Sequence, residues 1–121
     1  LLTTAALKRG AVGCVTDGLI RDVRRIRELG FPLFHGGIGP LDSRGRGKMM
    51  AGDVPIMCGG VPVSSGDLIF GDVDGVVVIP KVLGEQVVTA ALAKIKHENV
   101  TRAELERGLL LGDVYRKYGV L

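Results

Sequence analysis

Apolar and polar positions alternate along this chain in two distinct rhythms. Residues 11–16 (AVGCVT) are a short, nearly all-apolar run with β-branched and small side chains, the pattern of a strand buried on both faces. Asp17-Gly18 reads as a turn after it. Val23, Ile26 and Leu29 then recur at helical spacing among Arg24, Arg25, Arg27 and Glu28, and Gly30 stops that helix. Upstream, Leu1, Leu2, Ala5 and Ala6 give a first helix an apolar stripe that Gly10 ends. Phe31-Pro32-Leu33-Phe34 is a second strand, and a strand, helix, strand unit of this length implies a parallel pair with a right-handed crossover.

The middle of the chain changes character. His35-Gly36-Gly37-Ile38-Gly39-Pro40 and the following Leu41-Asp42-Ser43-Arg44-Gly45-Arg46-Gly47-Lys48 have the composition of a loop. Arg44, Arg46 or Lys48 with backbone amides offer an anion cradle there, against the plainer reading of a mobile, solvated loop without Walker spacing. Short apolar runs at residues 54–58, 61–63, 68–70 and 76–79 are separated by Gly59-Gly60, Ser64-Ser65-Gly66-Asp67 and Gly71-Asp72-Val73-Asp74-Gly75, which reads as a compact β layer ending in a buried strand. Asp67, Asp72 and Asp74 lack EF-hand spacing and read as Asx turns. Pro80 is placed to open a long helix with Val82, Leu83, Val87, Val88, Ala91, Leu92 and Ile95 on one face. Thr101-Arg102-Ala103-Glu104 has the form of a capping box starting another short helix, which ends by Gly108. The apolar tail from Leu109 to Tyr115 is expected to dock on the body of the domain or on a neighbouring subunit.

The 121 residues suit one domain, and 46% hydrophobic content supports a core. With 4% aromatic residues and no Trp, that core has to come from Val, Ile, Leu and Ala. A formal charge of +3, with basic and acidic residues interspersed, argues against nucleic acid as a partner. No segment has the length of a membrane span and no signal peptide is visible, so a cytoplasmic location is expected. Cys14 and Cys58 have no Cys-x-x-Cys or paired His near them and read as reduced core thiols. The chain opens on Leu1 with no cap ahead of its first helix, so the natural chain is expected to begin further upstream.

The chemistry concentrates at Arg21 and Asp22, beyond the end of the first strand. In open α/β sheets the carboxyl ends of the strands are the usual place for a ligand. Asp22 is a good N-cap for the helix that follows. Alternatively, the planar fork of Arg21 matches a carboxylate, and Asp22 with free lone pairs holds Mg²⁺ or Mn²⁺ with water in the remaining positions. Together they suit a small, oxygen-rich substrate such as a 2-oxo acid. His35 reads as a structural residue, and neither it nor His97 has an acid partner at motif spacing that would make it a general base.

The run Asp17-Gly18-Leu19-Ile20-Arg21-Asp22, then Phe31-Pro32-Leu33-Phe34, then Val54-Pro55-Ile56-Met57-Cys58-Gly59-Gly60, and the segment from Ser65 to Pro80 (SGDLIFGDVDGVVVIP) closely resemble the RraA-like family. This family comprises the 4-hydroxy-4-methyl-2-oxoglutarate/4-carboxy-4-hydroxy-2-oxoadipate aldolases and the regulators of ribonuclease E activity. The resemblance runs in order along essentially the whole chain. It implies an α/β fold of the swivelling β/β/α type, here N-terminally truncated, assembled as homotrimers or homohexamers with active sites between subunits. The implied reaction is divalent-metal-dependent (Mg²⁺ or Mn²⁺) retro-aldol cleavage of a 2-oxo acid to pyruvate, with oxaloacetate decarboxylation as a related activity.

By the same resemblance Arg21 binds the pyruvyl moiety, Asp22 holds the metal, and the backbone amide of Leu2 meets the substrate carboxylate. Glu98 of an adjacent subunit is the candidate for a further acid at the metal. The aldolases carry one more acid, at a position that falls ahead of Leu1. The alternative is a non-catalytic module that restrains a ribonuclease by contact, since the Arg-Asp pair occurs in both kinds of member. A methyltransferase reading lacks support, because no Gly-x-Gly-x-x-Gly loop follows a strand.

Overall fold

The computed structural model describes residues 1–119. The chain divides into two compact units, Leu1–Pro80 and a second that begins at Lys81. The first unit opens with helix α1 (Leu2–Lys8), strand β1 (Cys14–Ile20), helix α2 (Val23–Glu28) and strand β2 (Leu33–Ile38). β1 and β2 pair in parallel, from Cys14 opposite Leu33 to Ile20 opposite Ile38, as the strand, helix, strand order requires. Val23, Ile26 and Leu29 form the half-buried face of α2, matching their helical spacing.

Asp17-Gly18 is not a turn. Both residues lie inside β1, in an irregularity between the Thr16–His35 and Leu19–Gly37 pairs, so two residues of β1 stand opposite Gly36 alone. Side chains stabilise the bulge. Thr16 Oγ1 accepts the Gly18 N–H at 3.1 Å, and the Asp17 carboxylate accepts the Gly59 N–H at 3.0 Å. β2 likewise runs on through His35, Gly36, Gly37 and Ile38, which by composition belonged to the loop. The glycines there answer to close approach rather than to a turn. A Cβ on Gly36 would lie 2.1 Å from the Asp17 carbonyl oxygen, and one on Gly37 2.8 Å from Leu19 Cδ2. Gly36→Ala is therefore expected to force the two strands apart and to lower stability by about 2 kcal/mol, read as a fall in denaturant midpoint. The same substitution at Gly52, which has open space around it, serves as the control.

Strands β3 (Ile56–Cys58) and β4 (Val61–Val63) form an antiparallel hairpin, as do β5 (Leu68–Asp72) and β6 (Gly75–Ile79). Gly59 and Gly60, at φ 58° and 80°, supply the two positive-φ positions of the first hairpin turn. Of the expected Asx turns, that of Asp72 is present, its carboxylate accepting the Asp74 N–H two residues on, whereas Asp67 accepts the N–H of Ser64, three residues back. The short strands of the expected β layer do not join into one continuous sheet. Pairing stays within β1–β2, β3–β4 and β5–β6 as three two-stranded sheets among the described residues.

Burial is also lighter than the apolar runs suggest. Val12 and Val15 are exposed, only Thr16 and Ile20 of β1 are half-buried, and in β6 Val76, Val78 and Ile79 are half-buried while Val77 is exposed. Leu1, Leu2 and Ala5 of the expected α1 stripe are exposed, leaving Ala6 half-buried. Cys14 is exposed and Cys58 half-buried, so both are free thiols but neither is a core residue. Phe31 is the buried large hydrophobic residue of this unit, and the half-buried Phe34 ring sits where a Cβ on Gly71 would go, 2.6 Å from its Cζ.

In the second unit a 3₁₀ turn (Lys81–Leu83) leads into helix α3 (Gly84–Glu106), followed by helix α4 (Leu111–Tyr118). Pro80 thus precedes the turn and does not itself open the helix. Thr101 starts no new helix. It lies within α3, buried, and its hydroxyl donates to the His97 carbonyl at 3.1 Å, the local bond that lets a capping residue sit inside a helix. Gly108, at φ 91°, follows the α3 C-cap. The tail docks on α3 through the fully buried Val114, while Leu110 and Leu111 stay exposed. Val82, Leu83, Val88, Leu92 and Ile95 are also exposed. No helix among the described residues is long and apolar enough to cross a membrane.

Candidate active site

Because β1 and β2 are parallel, their carboxyl ends lie side by side. The Gly39 N–H donates to the Ile20 carbonyl at 2.9 Å and joins those ends. Directly beyond them is an open cavity of about 490 Å³ lined by Arg21, Asp22, Val23, Ile38, Gly39 and Pro40. Arg21 and Asp22 both remain partly accessible to solvent.

Asp22 occupies the N-cap position of α2, and its carbonyl accepts the Ile26 N–H at 3.1 Å. Its carboxylate does not cap. The backbone is left-handed, φ 61° and ψ 30°, where a capping residue is normally extended, and the side chain makes no capping hydrogen bond. The N-cap role expected for this residue is therefore not realised. A non-glycine residue held in this region beside a cavity is the kind of local strain that accompanies function. Asp22 Oδ2 stands 4.0 Å from Arg21 Nε.

The closer partner of Arg21 comes from the loop after β2. Asp42 Oδ2 lies 2.9 Å from Arg21 Nη2, while Asp42 Oδ1 accepts the Arg44 N–H at 2.9 Å. The Arg44 amide, and after it the positive charge of Arg21, holds the Asp42 carboxyl below its ordinary value of 3.8. A carboxyl depressed in this way favours the native state above its unfolded pKa, and the contribution disappears as pH falls through the lowered native value. The pair is accordingly expected to persist through neutral and mildly acidic solution and to break only below pH 3.8. A carbon-13 titration of Asp42 should show a midpoint under that value, and Arg21→Gln should return it part of the way only, since the Arg44 amide remains. In the sequence Asp42 carries one signal, the Asp-Ser-Arg order of an Asx turn, which does not point to a site.

Leu2 is the first residue of α1 and is exposed, and it is not among the residues lining the cavity. Glu98 lies on α3 in the second unit, where it pairs with Lys94 at 3.3 Å. His35 is an exposed residue inside β2, opposite Thr16. Arg44, Arg46 and Lys48 are exposed on their loop. Among the described residues no three of His, Cys, Asp and Glu gather as a metal-binding group.

A family model described as RraA-like, Aldolase/RraA, matches residues 1–78, which include every residue of this cavity and Asp42. The chain belongs to the RraA-like family. Among its relatives, a protein of Halalkalibacterium halodurans named "Putative 4-hydroxy-4-methyl-2-oxoglutarate aldolase" is 48% identical over 87 residues, covering 70% of this chain and 40% of that protein. Protein DlpA of Legionella pneumophila is 35% identical over 104 residues, 85% of this chain and 17% of that protein. The crystal structure of an uncharacterized protein from Pseudomonas syringae pv. tomato superposes with a TM-score of 0.92 at 31% identity, covering 97% of this chain and 55% of that one. This RraA-like chain thus spans less than half the length of these two curated relatives.

Proposed function

We propose that this RraA-like chain is part of a divalent-metal-dependent aldolase of the swivelling β/β/α type that cleaves 4-hydroxy-4-methyl-2-oxoglutarate-like 2-oxo acids to pyruvate and also decarboxylates oxaloacetate. The observation that carries the reading is the guanidinium of Arg21 beside a non-capping carboxylate, that of Asp22, in a cavity at the ends of two parallel strands. The name of the Halalkalibacterium relative supports the same reaction class.

Arg21 binds the substrate carboxylate through its planar fork and balances negative charge that builds on the adjoining oxygen during carbon–carbon cleavage. Val23 and Ile38 give the cavity apolar wall beside those charges. The donor set fits Mg²⁺ or Mn²⁺, ions that commonly take one or two carboxylates and complete their shell with water and substrate. Asp22 would hold the ion, its oxygens being without a capping bond, and Glu98 of an adjacent subunit is the proposed second acid. When bound, such an ion supplies Lewis-acid polarisation of the 2-oxo carbonyl. Assembly as a homotrimer or homohexamer agrees with the exposure of Leu19, Phe70, Leu92 and Leu110, large apolar residues that a neighbouring subunit would cover.

The test is pyruvate release from oxaloacetate and from 4-hydroxy-4-methyl-2-oxoglutarate by the whole protein, with Mg²⁺ and with chelator. Release from either substrate that stops on chelation supports the proposal. No release from both with Mg²⁺ present would sink it and leave the contact regulator of a ribonuclease as the better reading.

A further inference from the structure

Arg21 follows the last residue of β1 and opens onto solvent, where a long side chain is free to sample many rotamers, and ordering it on binding costs affinity. One close contact restricts it, and a second holds its partner. Asp42 Oδ2 meets Nη2 at 2.9 Å, and Asp42 is itself held by the Arg44 N–H, so the position of this carboxylate is set by main-chain geometry as well as by its own rotamer. Arg21 approaches Asp42 at Nη2 and Asp22, at 4.0 Å, at Nε. A guanidinium has five N–H donors, so a contact at Nη2 leaves donors for an incoming carboxylate.

We infer that Asp42 is a positioning residue: from the loop after β2 it holds the Arg21 guanidinium at the cavity so that its remaining donors face a substrate carboxylate. The inference rests on the reading of Arg21 as the carboxylate-binding group. It extends the site to a residue 21 positions along the chain from Arg21, on a loop outside the cavity lining. The opposite role, a carboxylate that competes with substrate for the fork, would be served by a contact spanning two guanidinium nitrogens. Here Asp42 Oδ1 accepts the Arg44 N–H, and Oδ2 makes the near approach to Arg21, at Nη2.

The two roles differ in sign. Asp42→Asn keeps an oxygen to accept the Arg44 N–H but removes the charge facing Arg21, so the loop turn survives and the melting temperature serves as the check on folding. On the whole protein with Mg²⁺, Asp42→Asn is expected to raise KM for oxaloacetate about tenfold, with kcat within about twofold, because it weakens binding common to ground and transition states. Asp42→Glu should recover part of the loss. Titration of oxalate, a non-reacting dicarboxylate, should weaken in parallel, and the nitrogen-15 relaxation of Arg21 Nε should report greater motion in Asp42→Asn. An unchanged or lowered KM, or a fall in kcat alone, overturns the inference while the site reading stands, provided oxalate binding still depends on Arg21. Oxalate binding that does not depend on Arg21 in the parent protein overturns both.

Discussion

Replacing Arg21 by Lys is expected to lower kcat/KM for oxaloacetate about a hundredfold or more while the melting temperature hardly moves. Lysine keeps the positive charge, so the experiment isolates the fork. The guanidinium presents parallel donors in a plane that matches a carboxylate, and an ammonium offers a hydrated point charge on a flexible stem. Stability should be insensitive because the Arg21–Asp42 pair is about half exposed on both sides, at 49% and 54% of side-chain surface, and exposed pairs contribute little. Measuring kcat and KM separately locates the loss: a larger KM with preserved kcat assigns Arg21 to substrate binding alone, and a fall in both assigns it to charge balance during cleavage as well. Full activity in Arg21→Lys would show that no bidentate carboxylate contact is made there.

Asp22→Asn should produce the cleanest separation of activity from stability in the molecule. Asparagine tolerates the left-handed backbone as well as aspartate does, and no capping bond exists to be lost, so stability is expected to stay within about 1 kcal/mol. Metal-dependent turnover should fall by about two orders of magnitude or more, and the Mg²⁺ concentration giving half-maximal rate should rise, since the amide lacks the charge that a hard cation requires. Asp22→Gly is the companion variant. Glycine adopts φ 61° without penalty, so this variant should fold at least as well as the parent and be equally inactive. Equal losses of melting temperature and activity in Asp22→Asn would return the residue to a structural role.

The sequence made the site's location legible but not its contacts. Apolar residues at helical spacing placed α2, and the strand on either side of it followed from chain length, so Arg21 and Asp22 fall at a strand end as expected. The hairpins were legible because Gly59-Gly60 and the Asp turns carry their own backbone chemistry. Glycine-rich composition misled at two places for one reason. Asp17-Gly18 is a bulge inside β1, and Gly36-Gly37 faces it from β2 with no room for a Cβ on Gly36 beside the Asp17 backbone or on Gly37 beside the Leu19 side chain, conditions set by strand pairing and absent from any local window. Thr101 misled because a hydroxyl that caps a helix from outside can equally bond a carbonyl one turn back from within.

The Asp22 cap failed at the level of a single dihedral angle. Side-chain chemistry favours capping, and the left-handed backbone forecloses it. Asp42 stayed hidden because a long connection brings it back to Arg21, and a loop of Gly, Arg and Lys carries no periodicity to reveal such a return. Apolar runs also overstate burial in this chain: Val12, Leu19, Phe70 and Val77 are exposed, although their neighbours in sequence resemble a core.

The most direct test of the site is a crystal structure of the whole protein grown with pyruvate and Mn²⁺, with the metal located by its anomalous signal. The expected result is the pyruvate carboxylate within hydrogen-bond distance of the Arg21 guanidinium, Asp42 still on Nη2, and an anomalous peak beside the Asp22 carboxylate. Pyruvate and Mn²⁺ bound together at another site, with Arg21 and Asp22 touching neither, would contradict it.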